Sequence, residues 1–299
     1  MLGWRDIAIR TWRSRRDDNL SVLAAGIAFF AFLALLPLIA SAAMIYGLVT
    51  TPAQVLEDLR TLMVILPDAA QGPIAIRIAE VINGDRGGPL ALLGALVLTL
   101  YAGARGTQSL IASLNMVYGE EEETRFARRW SPPVLLAIGT AGVLALALIG
   151  IAAFGYIEPL LPGRSAAFWL LVRVASWLLV LIGFGLGSAA LYRYAPSRRR
   201  ARWRWILPGA AAATLLWLLN GAAFGLYIAN FGRYDATYGS LAAVAILQIW
   251  LYLSAFILLL GAKFNAEIER QTMRDTTVGR PLPAGLRHAQ SADTLGEVP

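Results

Sequence analysis

The chain of 299 residues has no cysteine, one lysine (Lys263) and one histidine (His288). Without cysteine there are no disulfides and no thiolate metal sites. A single histidine, near the C-terminus, leaves little for imidazole acid–base chemistry or zinc ligation. Charge of either sign is scarce, with Asp, Glu, Lys and Arg making up 15% of the chain against about 25% in soluble domains. No cofactor or metal is expected from such an inventory.

What is present instead is apolar. Hydrophobic residues reach 58%, above the about 45–50% usual for soluble proteins, and mean hydropathy is +0.60. A membrane span needs about 20 largely apolar residues. Six stretches meet that: 20–48, 89–104, 133–157, 166–191, 206–231 and 238–262. The second is short, but Leu110, Leu114 and Val117 keep helical spacing beyond Arg105, so its helix is expected to run on toward Tyr118. The fold class is therefore all-α, a polytopic transmembrane bundle of about six spans. Arginines precede the first run as in a signal peptide, but the uncharged stretch from Asn19 to Thr50 is far longer than an h-region of about 7–15 residues. The first helix is expected to stay.

The formal charge of +7 is almost wholly arginine. Assigned to alternate sides of the six spans, twenty positive residues fall on the side of the two termini and five on the other, with Arg173 inside a span. Such a bias places both termini in the cytoplasm. Three regions follow. Residues 1–18 read as an interfacial amphipathic helix with Trp4, Ala8 and Trp12 on one face, the alternative being a disordered basic arm. Residues 19–271 form the membrane domain, with a helical external loop over 51–88. Residues 272–299, rich in Pro, Gly, Thr and small polar residues, read as a disordered cytoplasmic tail.

Three blocks of residues resemble the YihY / virulence factor BrkB family, bacterial inner-membrane proteins once labelled ribonuclease BN-like. The first is Ala24-Ala25-Gly26-Ile27-Ala28-Phe29-Phe30 with Pro37. The second runs from Arg105-Gly106 through Leu110 to Leu114-Asn115, Tyr118-Gly119 and Arg125. The third starts at Tyr192-Arg193-Tyr194 with Pro196 and continues through the arginine run to Pro208-Gly209-Ala210. It then passes Tyr227, Phe231, Tyr234 and Tyr238-Gly239-Ser240 to Trp250, Leu260-Gly261-Ala262 and Asn265-Ala266. The resemblance covers about residues 10–270 and implies a six-helix inner-membrane protein without implying an agreed activity. It departs at Lys263, where similar proteins often carry an acid; Glu267 lies one turn further on.

Hydrolysis of RNA needs positioned acid–base groups or a carboxylate cluster for metal. The run Glu120–Glu123 is contiguous, so a helix would point its members in four directions, and it reads as a solvated loop beside Arg125, Arg128 and Arg129. No catalytic residues are assigned and no nucleic-acid partner is expected. Polar residues within spans are the better lead, because burying them in hydrocarbon is costly. Arg173, Asn220 and Gln248 are the candidates, with snorkelling or helix–helix hydrogen bonds as the plainer readings. Pro37 and Gly183, Gly185 and Gly187 mark either close packing or a distorted pathway helix. A third candidate is a lipid headgroup rim formed by Tyr194, Arg198, Arg199, Arg200, Arg202, Trp203 and Arg204, where guanidinium forks could pair with phosphate. A plain aromatic belt with orienting charges is the alternative. The partners expected are anionic membrane lipids, and the function expected is envelope transport of a lipid or other amphiphile. A non-transporting envelope scaffold is the alternative, and a ribonuclease the least favoured reading.

Overall fold

The computed structural model describes residues 3–49, 88–120, 165–231 and 240–296. Seven helices occur among them: α1 (Trp4–Asp17), α2 (Leu20–Val49), α3 (Gly88–Tyr118), α4 (Ala166–Tyr194), α5 (Trp203–Phe231), α6 (Ser240–Glu269) and the short α7 (Gln290–Asp293). The protein is a helical membrane bundle. The expected external loop and third span lie outside the described residues, as do Glu121–Glu123.

At a rise of about 1.5 Å per residue, helices of this length reach roughly 45 Å, enough for a bilayer's hydrocarbon and interfacial layers. Residues 203–227 of α5 and 244–269 of α6 are each long and apolar enough to cross a membrane, and shorter apolar stretches occupy Leu20–Leu35 of α2 and Leu178–Tyr194 of α4. Large apolar side chains such as Val22, Val97, Leu179, Leu215 and Leu226 point outward rather than into a core. This is the expected state of a bundle whose surface meets lipid. The second span and its extension form one continuous helix, α3.

Helix α6 packs against α1, α2, α3 and α5, while α4 packs on α5 and α3 on α2. Small residues set the close contacts. Along α2, Ala24 and Ala28 are fully buried, and a Cβ added at Gly106 of α3 would touch Phe30 at 3.4 Å. The α5–α6 crossing is tighter. A Cβ on Gly261 would lie 2.6 Å from the Tyr192 hydroxyl and 2.7 Å from the Gly209 carbonyl oxygen, so only glycine admits this approach. By contrast, a Cβ on Gly183 or Gly187 meets nothing within 4 Å among the described residues. Close packing therefore explains Gly261 and Gly209 but, among the described residues, neither of those two glycines.

Two helix ends show why their residues are what they are. Helix α3 stops at a Schellman motif: Glu120 N–H donates to Asn115 O at 2.8 Å, Gly119 N–H donates to Met116 O at 3.1 Å, and Gly119 takes the left-handed φ of 75° that glycine accepts without strain. Near the start of α5, Pro208 has no N–H to give. The next N–H, of Gly209, donates to Asn265 Oδ1 at 2.7 Å, while Asn265 Nδ2 donates to Ile206 O at 2.9 Å. Asn265 thus staples α6 to the opened turn of α5.

Residues 272–296, read from the sequence as a disordered tail, lie against the arginine-rich end of the bundle. Ala201 and Thr277 form an antiparallel bridge, and Thr276, Thr277, Arg287 and Ser291 are buried. Low hydrophobicity does not leave this segment loose, because its polar groups are paired: Arg287 Nη2 donates to Met273 O at 2.6 Å and Ser291 Oγ to Tyr118 O at 3.0 Å. Helix α1 is present as expected. It docks on α6 through Arg10, paired with Glu267 at 3.0 Å; Ile7, Arg10 and Thr11 are buried, while Trp4 and Trp12 stay largely exposed and Trp4 stacks on Phe264 at 6.4 Å.

Candidate functional site

The arginine-rich end of the bundle holds the densest polar structure among the described residues, and α6 supplies its acids. Glu269 receives Arg198 in a two-pronged bond, Nη2 to Oε1 at 2.8 Å and Nη1 to Oε2 at 3.1 Å, and also the Thr276 hydroxyl at 2.9 Å. The Arg198 guanidinium lies 3.9 Å from the centre of the Tyr118 ring. Two residues earlier on α6, Glu267 gathers three cations: Arg10 at 3.0 Å, Arg270 at 3.2 Å and Lys263 at 3.5 Å. Lys263 also reaches Asp18 at 2.6 Å. The lysine that departs from the resemblance therefore ties the α1–α2 corner to α6. Buried charges persist only when paired this fully.

Neutral polar links complete the floor. Ser197 N–H donates to Asn115 Oδ1 at 2.7 Å, which fixes the turn between α4 and α5 to the end of α3. Tyr192 donates to Leu258 O at 2.7 Å. Asn115, Tyr118, Tyr192, Gly209, Gly261 and Asn265, spread over two blocks of the sequence, thus meet in one layer.

Against this floor the seven rim candidates divide. Arg198 is not a rim residue: its side chain is 1% exposed and wholly engaged by Glu269. Two more are turned to the folded tail, Arg199 with Arg280 O at 3.3 Å and Asp275 at 4.0 Å, and Arg202 with Thr277 O at 3.0 Å. The physical reason is the tail itself, whose carbonyls and carboxylate offer nearby acceptors. The other four stand at the surface: Tyr194 is 53% and Trp203 43% exposed, and Arg200 and Arg204 are exposed.

A residue that sequence reasoning left out joins them. The guanidinium of Arg193 lies 4.4 Å from the Trp203 ring centre and 5.5 Å from that of Tyr194, and Arg200 covers Tyr194 at 4.9 Å. Arg193 Nε and Nη1 are buried with no hydrogen-bond partner among the described residues. Its position at the end of α4, between two aromatics, was the available signal. The arrangement offers guanidinium forks, pre-oriented by stacking, beside outward apolar helix faces.

Among the intramembrane candidates, the side chain of Arg173 lies outside the described residues. Asn220 Nδ2 and Gln248 Oε1 are buried without hydrogen-bond partners among the described residues. The direct interhelical bond there is a different one, Trp217 Nε1 to Ser254 Oγ at 3.2 Å, with Phe184 stacked on Trp217 at 4.7 Å.

Two carboxyls outside the membrane spans shift in opposite directions. Burial pushes Glu120 up, and the Gln290 N–H only partly offsets it. Burial would also raise Asp275, but hydrogen bonds from Leu282 N–H and from the Thr277 hydroxyl and N–H outweigh it, and the carboxyl is held below its ordinary range.

A family model for virulence factor BrkB matches residues 11–283. A UPF0761 membrane protein of Tolumonas auensis is 29% identical over 277 residues, covering 90% of this chain and 87% of that protein. Another from Alteromonas mediterranea is 29% identical over 265 residues, with 85% and 84% covered. A Bacillus subtilis relative, described as a putative ribonuclease-like protein YfkH, is 29% identical over 213 residues, with 69% and 74% covered. No solved structure matches.

Proposed function

Starting from the chain's membership of the virulence factor BrkB family, we propose that it handles an anionic lipid or similar amphiphile in envelope transport, gripping the headgroup at the rim of Arg193, Tyr194, Arg200, Trp203 and Arg204. The single observation behind this reading is Arg193: a guanidinium sandwiched against two aromatic rings, with two buried N–H groups that no described residue accepts. An anion is the acceptor such a group calls for. Exposed Leu186 and Leu207 on the flanking helices suit the acyl part of the same ligand. Asn220 Nδ2 and Gln248 Oε1, buried without hydrogen-bond partners among the described residues, support passage of a polar group along the spans. The charge bias supports a cytoplasmic position for this rim and both termini at a bacterial inner membrane.

The test is lipid retention by native mass spectrometry, comparing the parent with an Arg193→Lys, Arg200→Lys variant. Lysine keeps the charge and loses the planar fork. Selective loss of phosphatidylglycerol, with phosphatidylcholine and thermal unfolding unchanged, is the expected result. Equal retention of both lipids in both proteins would overturn the rim.

A scaffold for envelope assembly is the second reading, favoured by the ion-pair layer around Glu267 and Glu269, which stiffens this end without involving a ligand. The ribonuclease-like description of the B. subtilis relative finds less support. No group of three or more Asp, Glu, His or Cys side chains able to hold a metal occurs among the described residues, and the acids of α6 are committed to cations.

A further inference from the structure

A second grouping lies where the tail meets the start of α5. Arg202 donates its backbone N–H to Thr276 O at 3.0 Å and Nε to Thr277 O at 3.0 Å, and Val278 N–H donates to Arg200 O at 2.9 Å. These bonds hold the turn after α6 beside α5 and create an open cleft of about 420 Å³ lined by Arg204, Trp205, Thr272 and Arg274.

Every side chain in that lining is a donor. The Arg204 guanidinium stacks 5.3 Å from the Trp205 ring centre, which fixes its fork. The Thr272 hydroxyl accepts the Arg274 N–H at 3.2 Å and keeps its own proton to give. Trp205 Nε1 is buried with no acceptor among the described residues, an arrangement native structures rarely leave unanswered. Neither Arg204 nor Arg274 has a carboxylate within ion-pair distance among the described residues. Four donor groups around one open cleft, two of them guanidinium forks, suit an anion with oxygens on several sides, as a phosphate has.

We infer that this cleft binds a phosphate group, either free phosphate or the phosphate of a lipid headgroup. The inference deepens the rim reading, since it rests on the same anionic class of ligand, but it depends on Trp205, Thr272 and Arg274, which the rim does not use.

The experiment uses the full chain in phosphatidylcholine nanodiscs, titrated with inorganic phosphate at constant ionic strength. A parallel arm uses nanodiscs of equal parts phosphatidylcholine and phosphatidylglycerol. Thermal unfolding is read for the parent, Arg274→Gln, Arg274→Lys, Trp205→Phe and the rim variant Arg193→Lys. Phosphate or phosphatidylglycerol should stabilise the parent, with apparent affinity roughly tenfold weaker in Arg274→Gln and Trp205→Phe and only partly restored in Arg274→Lys. Stabilisation by phosphate in pure phosphatidylcholine identifies a free anion; stabilisation only by phosphatidylglycerol identifies a headgroup. If Arg193→Lys abolishes stabilisation by phosphatidylglycerol while Arg274→Gln matches the parent in both arms, the cleft is wrong and the rim stands. The reverse pattern keeps the cleft and removes the rim. No stabilisation of the parent by either ligand overturns the inference outright.

Discussion

Arg198 and Glu269 face each other through two parallel charge-assisted hydrogen bonds, with side chains 1% and 0% exposed. The pair joins the α4–α5 turn to the end of α6, and Tyr118 closes it from the side with its ring against the guanidinium. A buried pair of this kind adds little over an apolar replacement, but breaking one side leaves a charge with no solvent.

Glu269→Gln and Arg198→Ala should therefore each cost about 3–5 kcal/mol. Arg198→Lys should recover little, because an ammonium cannot span both oxygens. The double variant should cost clearly less than the two singles added. Thermal unfolding in detergent, completed as a double-mutant cycle, measures this; additive losses would mean the pair does not act as a unit.

Glycines give a contrast within one protein. Gly261→Ala puts a Cβ 2.7 Å from the Gly209 carbonyl, and backbone cannot yield as a side chain can. The expected loss is about 1–3 kcal/mol. Gly183→Ala meets open space among the described residues and should be neutral or gain up to about 1 kcal/mol from helix propensity. Equal melting temperatures for the two variants would contradict the close α5–α6 crossing.

These residues also show what can be read without coordinates. Hydropathy locates α4, α5 and α6 to within a few residues at most ends, because lipid demands long uncharged runs whatever the neighbours are. The arginine run is different. From 198 to 204 its members look alike as a string, yet Arg198 is buried, Arg199 and Arg202 face the tail, and Arg200 and Arg204 face outward. Only the register against α6 and the returning tail decides this. The tail itself is polar enough to resemble disorder, since its order comes from specific pairing rather than apolar burial. Glu267 and Glu269, two acids closing an apolar helix opposite many arginines, were the signal available.

Topology has its own test. Reporter fusions at residue 70 and at the C-terminus should lie on opposite sides of the membrane, with the C-terminus cytoplasmic. An external C-terminus would refute the orientation drawn from the charge bias, and with it the cytoplasmic rim.

Docking of the tail should depend on pH through two carboxyls of opposite sign. Asp275 accepts from Leu282 N–H at 2.9 Å and from Thr277, and its pKa is lowered by the fold. Its contribution is complete above the unfolded value of about 3.9 and is lost as pH falls through the folded value. Glu120 accepts from Gln290 N–H at 2.8 Å, and burial raises its pKa. Its folded form takes up a proton before the unfolded chain does. Acidification from neutral pH therefore favours the docked state through this group until pH reaches the unfolded value of about 4.3. Hydrogen exchange over 272–296, corrected for intrinsic rates, should show protection rising on mild acidification and falling below about pH 4. Glu120→Gln should remove the rise, and Asp275→Asn should weaken docking at neutral pH and flatten the acid fall. A profile unchanged in both variants would mean that neither carboxyl holds the tail.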